Sequence, residues 1–201
     1  ILGKDPRALS DAALLELAQA RIDLPRPRLD SYEQTLRAHL QQCVALDDDR
    51  CVALTQEQLG LVAIQRGQVT DARGALDAAV RGFTTQCDGP SSRRATMAIA
   101  RVHRLRSELA LAANKAQEVL AVAVNDGDGN AEREALLELG SLALAQGDLG
   151  AARKWLAAAN DAAQRGNDQL AIARVDAIRG RAELLLGGDL TPAVSAFERA
   201  M

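Results

Sequence analysis

This chain of 201 residues has few aromatic residues, no net positive charge and no long apolar run. Only 2% of the residues are aromatic, and β-branched strand formers are also few, which disfavours a β-fold. The formal net charge of −3 creates no overall field that would gather polyanions, so general nucleic-acid binding has no electrostatic basis. No apolar run reaches the roughly 18 to 20 residues that span a bilayer. We therefore expect a soluble cytoplasmic protein that makes no membrane contact.

Cysteine is also sparse, and its spacing matches no known metal or redox motif. The three cysteines, Cys43, Cys51 and Cys87, are odd in number. We expect them to be small apolar side chains in a reducing cytosol. The alternative is a disulfide between Cys43 and Cys87 in an exported protein.

Alanine, in contrast, occupies 40 positions, and it is the residue with the highest helix propensity. The alanines belong to a repeat, LG-x6-G-x4-A-x3-L-x2-A, which begins at Leu59 and again at Leu139. A third, partial copy retains Gly188, Ala193, Phe197 and Ala200. Self-similarity at a period of about 40 residues is typical of a stacked repeat protein. It predicts an all-α chain.

Glycine, proline and polar clusters divide the sequence into about ten amphipathic stretches. We expect Ser31 to begin one helix through a capping box with Gln34, Gly67 and Gly147 to end helices, and a helix break between residues 112 and 114. Gly60 and Gly140, in contrast, should let paired helices approach closely, with Leu76 and Leu156 filling the space toward the neighbouring pair. The predicted helix pairs cover residues 8–46, 50–87, 92–125, 130–165 and 168–201, in a single repeat domain.

This pattern resembles the tetratricopeptide repeat (TPR) family, whose motif has a small residue, a turn glycine and two alanines in the same order. The resemblance is clear for 53–82 and 133–162, partial for 174–201 and weak for 92–124. It implies a right-handed superhelical solenoid of antiparallel helix pairs. The long period is similar to that of arrays found beside signalling or DNA-binding domains in bacterial regulators of the MalT type. Because the chain begins with Ile1 and stops within a repeat, we expect it to be a fragment of a longer protein.

The resemblance also implies a concave groove that is lined by the first helix of each pair and binds a protein or peptide. Few of the implied positions carry charge, which favours an apolar helix or segment as the ligand. The alternative is that tight winding buries the same residues as core. Carried over by motif position, with the last repeat aligned through Gly188, the groove residues are Leu54, Glu57, Leu61, Ile64, Glu134, Leu137, Ser141, Leu144, Ile178 and Leu185.

A stripe of arginines between residues 93 and 106 is the one basic cluster of note. Arg94, Arg101 and Arg104 share a helix face at i, i+7 and i+10, so they could bind an acidic peptide or a phosphate. The alternative is a solvated face paired with neighbouring acids. A nucleic-acid or phosphate-binding module is the corresponding second function, although scarce aromatics weigh against base stacking.

Other chemistry-bearing residues have structural interpretations. The Asp126–Asn130 segment lacks the glycine and the glutamate that a calcium loop needs, and the Asp47–Asp49 run can cap the helix that follows it. His39 and His103 are distant in sequence and match no recognised ligand motif, so we expect both to be structural. The sequence predicts no catalytic site, metal or cofactor. An enzyme would need its chemistry in a flanking domain.

These features predict a non-catalytic interaction scaffold, namely the regulatory or partner-sensing segment of a larger bacterial signalling or transcription regulator. Solenoids need polar capping repeats at their ends, and the last predicted repeat has none. Either more chain follows, or two copies form a homodimer through the C-terminal repeat.

Overall fold

The computed structural model describes residues 26–185 and residue 198, with side chains for residues 29–180 and 198. Within this part of the chain every regular element is an α-helix, so the all-α prediction is confirmed. None of the described helices is both long and apolar enough to cross a membrane. The first part of the predicted helix pair 8–46, up to residue 25, and the partial third repeat copy lie outside the described residues. The helices are α1 (Arg26–Ala45), α2 (Asp49–Gln65), α3 (Val69–Thr85), α4 (Gly89–Leu105), α5 (Leu109–Asp126), α6 (Gly129–Ala145), α7 (Leu149–Arg165) and α8 (Gln169–Leu185).

Turns interrupt the chain at regular intervals. From α2 onward the helices start at residues 49, 69, 89, 109, 129, 149 and 169. Two residues before each start, the backbone takes a positive φ, which glycine adopts at little cost. Gly67 and Gly147 therefore end first helices, as predicted, and the repeating unit is a helix pair of about 40 residues. The positive-φ residues are Asp47, Gly67, Cys87, Ser107, Gly127, Gly147 and Asn167.

An aspartate caps the next helix at most of these turns. Its carboxylate accepts a hydrogen bond from the backbone N–H three residues ahead, at 2.8 to 3.1 Å, which satisfies a donor that the helix start leaves open. The interpretation of the Asp47–Asp49 run and the Asp126–Asn130 segment as capping turns is confirmed. The capping residues are Asp48, Asp88, Asp128, Asp148 and Asp168.

Two local predictions were wrong. The expected break between residues 112 and 114 lies instead between Leu105 and Leu109, because the turn there uses Ser107 at φ 60° and offers no glycine as a signal. Ser31 does not begin a helix, since α1 already starts at Arg26. Its carbonyl accepts a hydrogen bond from Thr35 Oγ1 inside that helix.

The chain divides within α4, after Ala98, into two compact units. In the first unit, α2 packs against α1 and α3. In the second unit, α6 packs against α5 and α7, and it also contacts α8, the first helix of the next pair. Short turns between consecutive packed helices make each pair antiparallel.

Small residues set the approach of the helices within a pair, as predicted. A Cβ atom on Gly140 would lie 2.9 Å from Leu156 Cδ2, and Ala152 of α7 is fully buried. Leu156 therefore covers the glycine of its own pair. Leu156 also joins a core cluster with Val175 of α8, the first helix of the next pair, which agrees with the expectation that it fills space toward the neighbouring pair.

A disulfide between Cys43 and Cys51 joins α1 to α2, with 5.5 Å between the Cα atoms. Cys87 is free and exposed. The prediction of three reduced thiols was wrong, and so was the alternative Cys43–Cys87 bridge. The turn at 46–48 folds α2 back along α1, which brings together two residues placed symmetrically about it.

Candidate functional site

The first helices of successive pairs, α2, α4, α6 and α8, carry the residues expected to bind a partner. These helices start at residues 49, 89, 129 and 169, so residues that are 40 apart occupy equivalent places. We call the places of the predicted groove and arginine residues the first-helix positions. Arg94, Arg101 and Arg104 follow Leu54, Leu61 and Ile64 by one repeat. The predicted anion patch and the predicted groove therefore use the same first-helix positions in different repeats.

The groove residues assigned to α8 were one residue out of register. The alignment through Gly188 pairs Glu134 with Val175, 41 residues later. Since α6 begins at Gly129 and α8 at Gln169, the equivalent of Glu134 is Arg174. Val175 is fully buried. Ile178 is half-buried and packs against a core cluster of α6 and α7. The side chain of Leu185 lies outside the described residues.

Burial separates the remaining groove residues into two groups. Leu137 is buried in the core cluster that Leu156 and Val175 also join, and Glu57 is buried as well. Leu54 is half-buried, but it packs against the core around Phe83. The half-buried residues of the second group keep part of their surface accessible. They are Leu61, Ile64, Glu134, Ser141 and Leu144, of which Ser141 donates its hydroxyl to the Leu137 carbonyl of its own helix.

In the first unit, Glu57 and Arg94 form a bidentate ion pair between α2 and α4. Arg94 Nε and Nη2 donate to the two carboxylate oxygens at 2.6 and 2.5 Å, and the Glu57 side chain is only 1% exposed. The hydrogen bond to Glu57 raises the pKa of Arg94 above its ordinary value. A buried carboxylate held in this way needs its partner, because a lone buried charge is strongly unfavourable.

In the second unit, two further ion pairs link α4 to α6. Arg101 Nη2 lies 2.5 Å from Glu134 Oε2, and Arg104 Nε donates to the buried Glu138 at 2.7 Å. Arg174 of α8 also bonds to Glu134. Burial opposes the charge on Arg174, but its hydrogen bonds to Glu134 outweigh that effect and raise the pKa of Arg174.

These pairs correct the expectation that the first-helix positions carry little charge. Each arginine of the predicted patch has a glutamate partner from an adjacent first helix, as the structural alternative proposed. Sequence reasoning missed Glu138 and Arg174 as members of this arrangement. A register taken from the helix starts, instead of from Gly188, would have placed Arg174 at the position equivalent to Glu134.

His103 is buried, with Nδ1 2.6 Å from Glu108 Oε2. This placement agrees with a structural histidine at the end of α4. His39, in contrast, lies beside the disulfide, with Nε2 3.3 Å from Cys51 Sγ. The sequence analysis treated that histidine and the cysteines separately and so missed their proximity.

Residues 58–130 match the family model described as Tetratricopeptide repeat. No curated protein matches the chain. The match runs from α2 to the start of α6 and includes the α4–α5 pair, where the repeat pattern in the sequence is weakest. Tetratricopeptide repeats generally mediate protein–protein interactions and are typically non-catalytic scaffolds. The regular helix pairs, the turn glycines and the packing of small residues agree with this match, and together they show an array of α-helices that is similar to tetratricopeptide repeats.

Proposed function

We propose that each unit of this chain binds an apolar helix or peptide segment of a partner protein through its own first-helix positions, Leu61 and Ile64 in the first unit and Leu144 in the second. The observation that carries the proposal is the half-buried state of Leu61, Ile64 and Leu144. These large apolar side chains are not enclosed in their own units, and neighbouring charges are held in ion pairs. A ligand that covers them would gain hydrophobic burial without having to displace a paired arginine.

In each unit, ion pairs join successive first helices, and we call these pairs the polar frame. They are Glu57–Arg94 in the first unit and Arg101–Glu134–Arg174 in the second. Each pair fixes the side chains that form it. Preorganised side chains reduce the entropy lost on binding. The frame is therefore suited to recognition, and it offers no combination of nucleophile and base.

The phosphate or nucleic-acid alternative uses the same arginines. It is the weaker proposal, because an anion would have to compete with carboxylates that already satisfy Arg94, Arg101 and Arg104. Phosphate binding would also show a steep loss of affinity with salt. For an apolar ligand, we expect the affinity to change little with salt concentration.

We further propose the setting of this interaction. The long repeat supports a place in a larger cytoplasmic regulator of the long-repeat bacterial type, where the array senses a partner. Pairing of two copies through the C-terminal repeat stays part of this proposal. An accessory role beside a catalytic domain is the alternative setting.

The test is selection of peptide ligands from a displayed library of amphipathic helices, followed by affinity measurement against variants. Leu61→Asp combined with Leu144→Asp should leave a folded protein that binds the selected peptide at least about 30-fold more weakly, the loss of roughly 2 kcal/mol expected when buried apolar contacts are removed. Val122→Asp, at an exposed position of the second helix α5, is the matched control and should bind normally. Unfolding of the double variant would show that these leucines are core and would overturn the proposal.

A further inference from the structure

A cluster of potential metal ligands lies at the hairpin of α1 and α2. It consists of His39 and Cys43 on α1 and Cys51 on α2. The imidazole nitrogen and the two sulfur atoms all lie within 4.8 Å of one another. Cys43 is 1% exposed and Cys51 is 5% exposed, whereas His39 is half-buried. The cluster is thus sheltered but can be reached from the histidine side.

The local helix geometry explains why these three residues meet. His39 and Cys43 are four residues apart, so they lie one turn apart on the same face of α1. The turn at 46–48 then returns the chain and places Cys51 in the first turn of α2, where Asp48 accepts a hydrogen bond from its backbone N–H at 3.0 Å. Helical structure on both sides of the turn holds the ligand atoms in place.

We propose that the dithiol form of this cluster binds Zn²⁺ through His39 Nε2, Cys43 Sγ and Cys51 Sγ, and that the disulfide is the metal-free form. Two thiolates and one imidazole are a donor set that zinc prefers in tetrahedral sites, with water available as the fourth ligand. Atoms bound to one tetrahedral zinc ion are separated by roughly 3.3 to 3.8 Å. Nε2 of His39 is already 3.3 Å from Cys51 Sγ, and reduction of the disulfide frees the two sulfur atoms to separate.

A polar neighbour supports the sulfur atoms. Thr55 is fully buried, and its Oγ1 lies 3.8 Å from Cys43 Sγ while it donates to the Cys51 carbonyl at 2.8 Å. A hydrogen-bonding group behind a ligand orients that ligand. Because Thr55 donates its one hydroxyl proton to the Cys51 carbonyl, it would fix the backbone of Cys51 and would not itself bind the metal.

The conversion between the two forms is ordinary thiol–disulfide exchange. A small dithiol attacks one sulfur of the disulfide, the sulfur–sulfur bond breaks, and two electrons pass to Cys43 and Cys51 while the dithiol becomes a disulfide. The two protons that the small dithiol loses pass to the new thiols of Cys43 and Cys51. When Zn²⁺ binds, both thiols become thiolates and release these protons to solvent.

The experiment is a Co²⁺ titration of the full chain, with and without prior reduction by a phosphine, followed by displacement with Zn²⁺. We expect the reduced protein to show the thiolate charge-transfer and tetrahedral d–d absorption of one bound Co²⁺, and the oxidised protein to show neither. This comparison uses a single sequence, so differences in folding between variants cannot cause it. Equal binding by the two forms, or no tetrahedral spectrum in the reduced form, would overturn the proposal.

Three single variants identify the ligands. Cys43→Ser, Cys51→Ser and His39→Ala should each weaken Zn²⁺ binding by more than about 100-fold, beyond the 10- to 100-fold loss that follows removal of a mere supporting group. Cys87→Ser is the matched control and should bind normally. Circular dichroism of each variant without metal checks its fold. Retained binding in any folded ligand variant, or lost binding in the control, contradicts the assignment.

Discussion

Gly60 of α2 faces Leu76 of α3 so closely that a Cβ atom at residue 60 would lie 2.6 Å from Leu76 Cγ and 2.8 Å from its Cδ2. Leu76 is fully buried. The leucine therefore fills the space that the missing glycine side chain leaves. At the equivalent places of the next pair, α4 has Ala100 and α5 has Ala116, both fully buried. The repeat thus uses two combinations at these positions, one of glycine with leucine and one of alanine with alanine.

This relationship predicts the outcome of a double-mutant cycle. Gly60→Ala should destabilise the protein by about 1 to 3 kcal/mol through overpacking, and Leu76→Ala by about 2 to 5 kcal/mol through a cavity. The double variant recreates the alanine combination of the next pair, so its loss should be smaller than the sum by at least about 1 kcal/mol. Urea unfolding gives the free energy of unfolding of the unmodified protein, the two single variants and the double variant. Strict additivity would contradict the proposed contact.

The capping aspartates predict a pH-dependent contribution to stability. Burial works to raise the pKa of Asp88, but hydrogen bonds from the side chain and backbone of Ser91 outweigh it, so the pKa falls below its ordinary value of 3.8. A lowered pKa in the folded state stabilises the protein above about pH 4, and this stabilisation is lost as the pH falls through the folded-state pKa.

Asp88→Ala should therefore lower the free energy of unfolding by about 1 kcal/mol at pH 7, and the difference from the unmodified protein should shrink below about pH 3.8. The matched control is Gln68→Ala, because Gln68 is the N-cap of α3 but makes no capping hydrogen bond through its side chain. Denaturant midpoints between pH 2.5 and 7 give both curves. A difference that is the same at every pH would show that the carboxylate charge is not involved.

The Glu57–Arg94 pair predicts a large effect from one truncation. Arg94→Ala leaves Glu57 buried without its guanidinium partner and should cost about 3 kcal/mol or more. Adding Glu57→Gln removes the buried charge and should restore part of that loss. Lys115→Ala breaks the exposed Lys115–Glu118 pair and serves as the control, with an expected change within about 0.5 kcal/mol. Equal small effects at both sites in thermal unfolding would contradict the buried-pair assignment.

The sequence predicted those parts of the fold that depend on local patterns. Gly67 and Gly147 mark turns because a left-handed backbone favours glycine, and alanine-rich amphipathic stretches predict paired helices. The turn at Ser107 gave no such signal, so the break between α4 and α5 was misplaced. The recurrence of aspartate at 48, 88, 128, 148 and 168 is a regular pattern that would have located every helix start it caps.

The candidate site was harder to predict because the residues that form its ion pairs are distant in sequence. Arg101 and Glu134 are 33 residues apart, and the ion pair exists only because successive first helices pack together. The groove and the arginine stripe appeared to be separate features until the register of the helix starts placed them at equivalent positions. His39 and Cys43 were visible as a pair four residues apart, but the third member, Cys51, joins them only through the hairpin.

The most direct test of the central claim is a cross-linking map of the bound peptide. A photoreactive phenylalanine derivative is placed singly at Leu61, Leu144, Leu111 or Val122, and each protein is irradiated with a peptide selected for binding. If the first-helix positions form the recognition surface, residues 61 and 144 will cross-link to the peptide, while residues 111 and 122 on α5 will not. Cross-links confined to the α5 positions, with none from residues 61 and 144, would contradict the account.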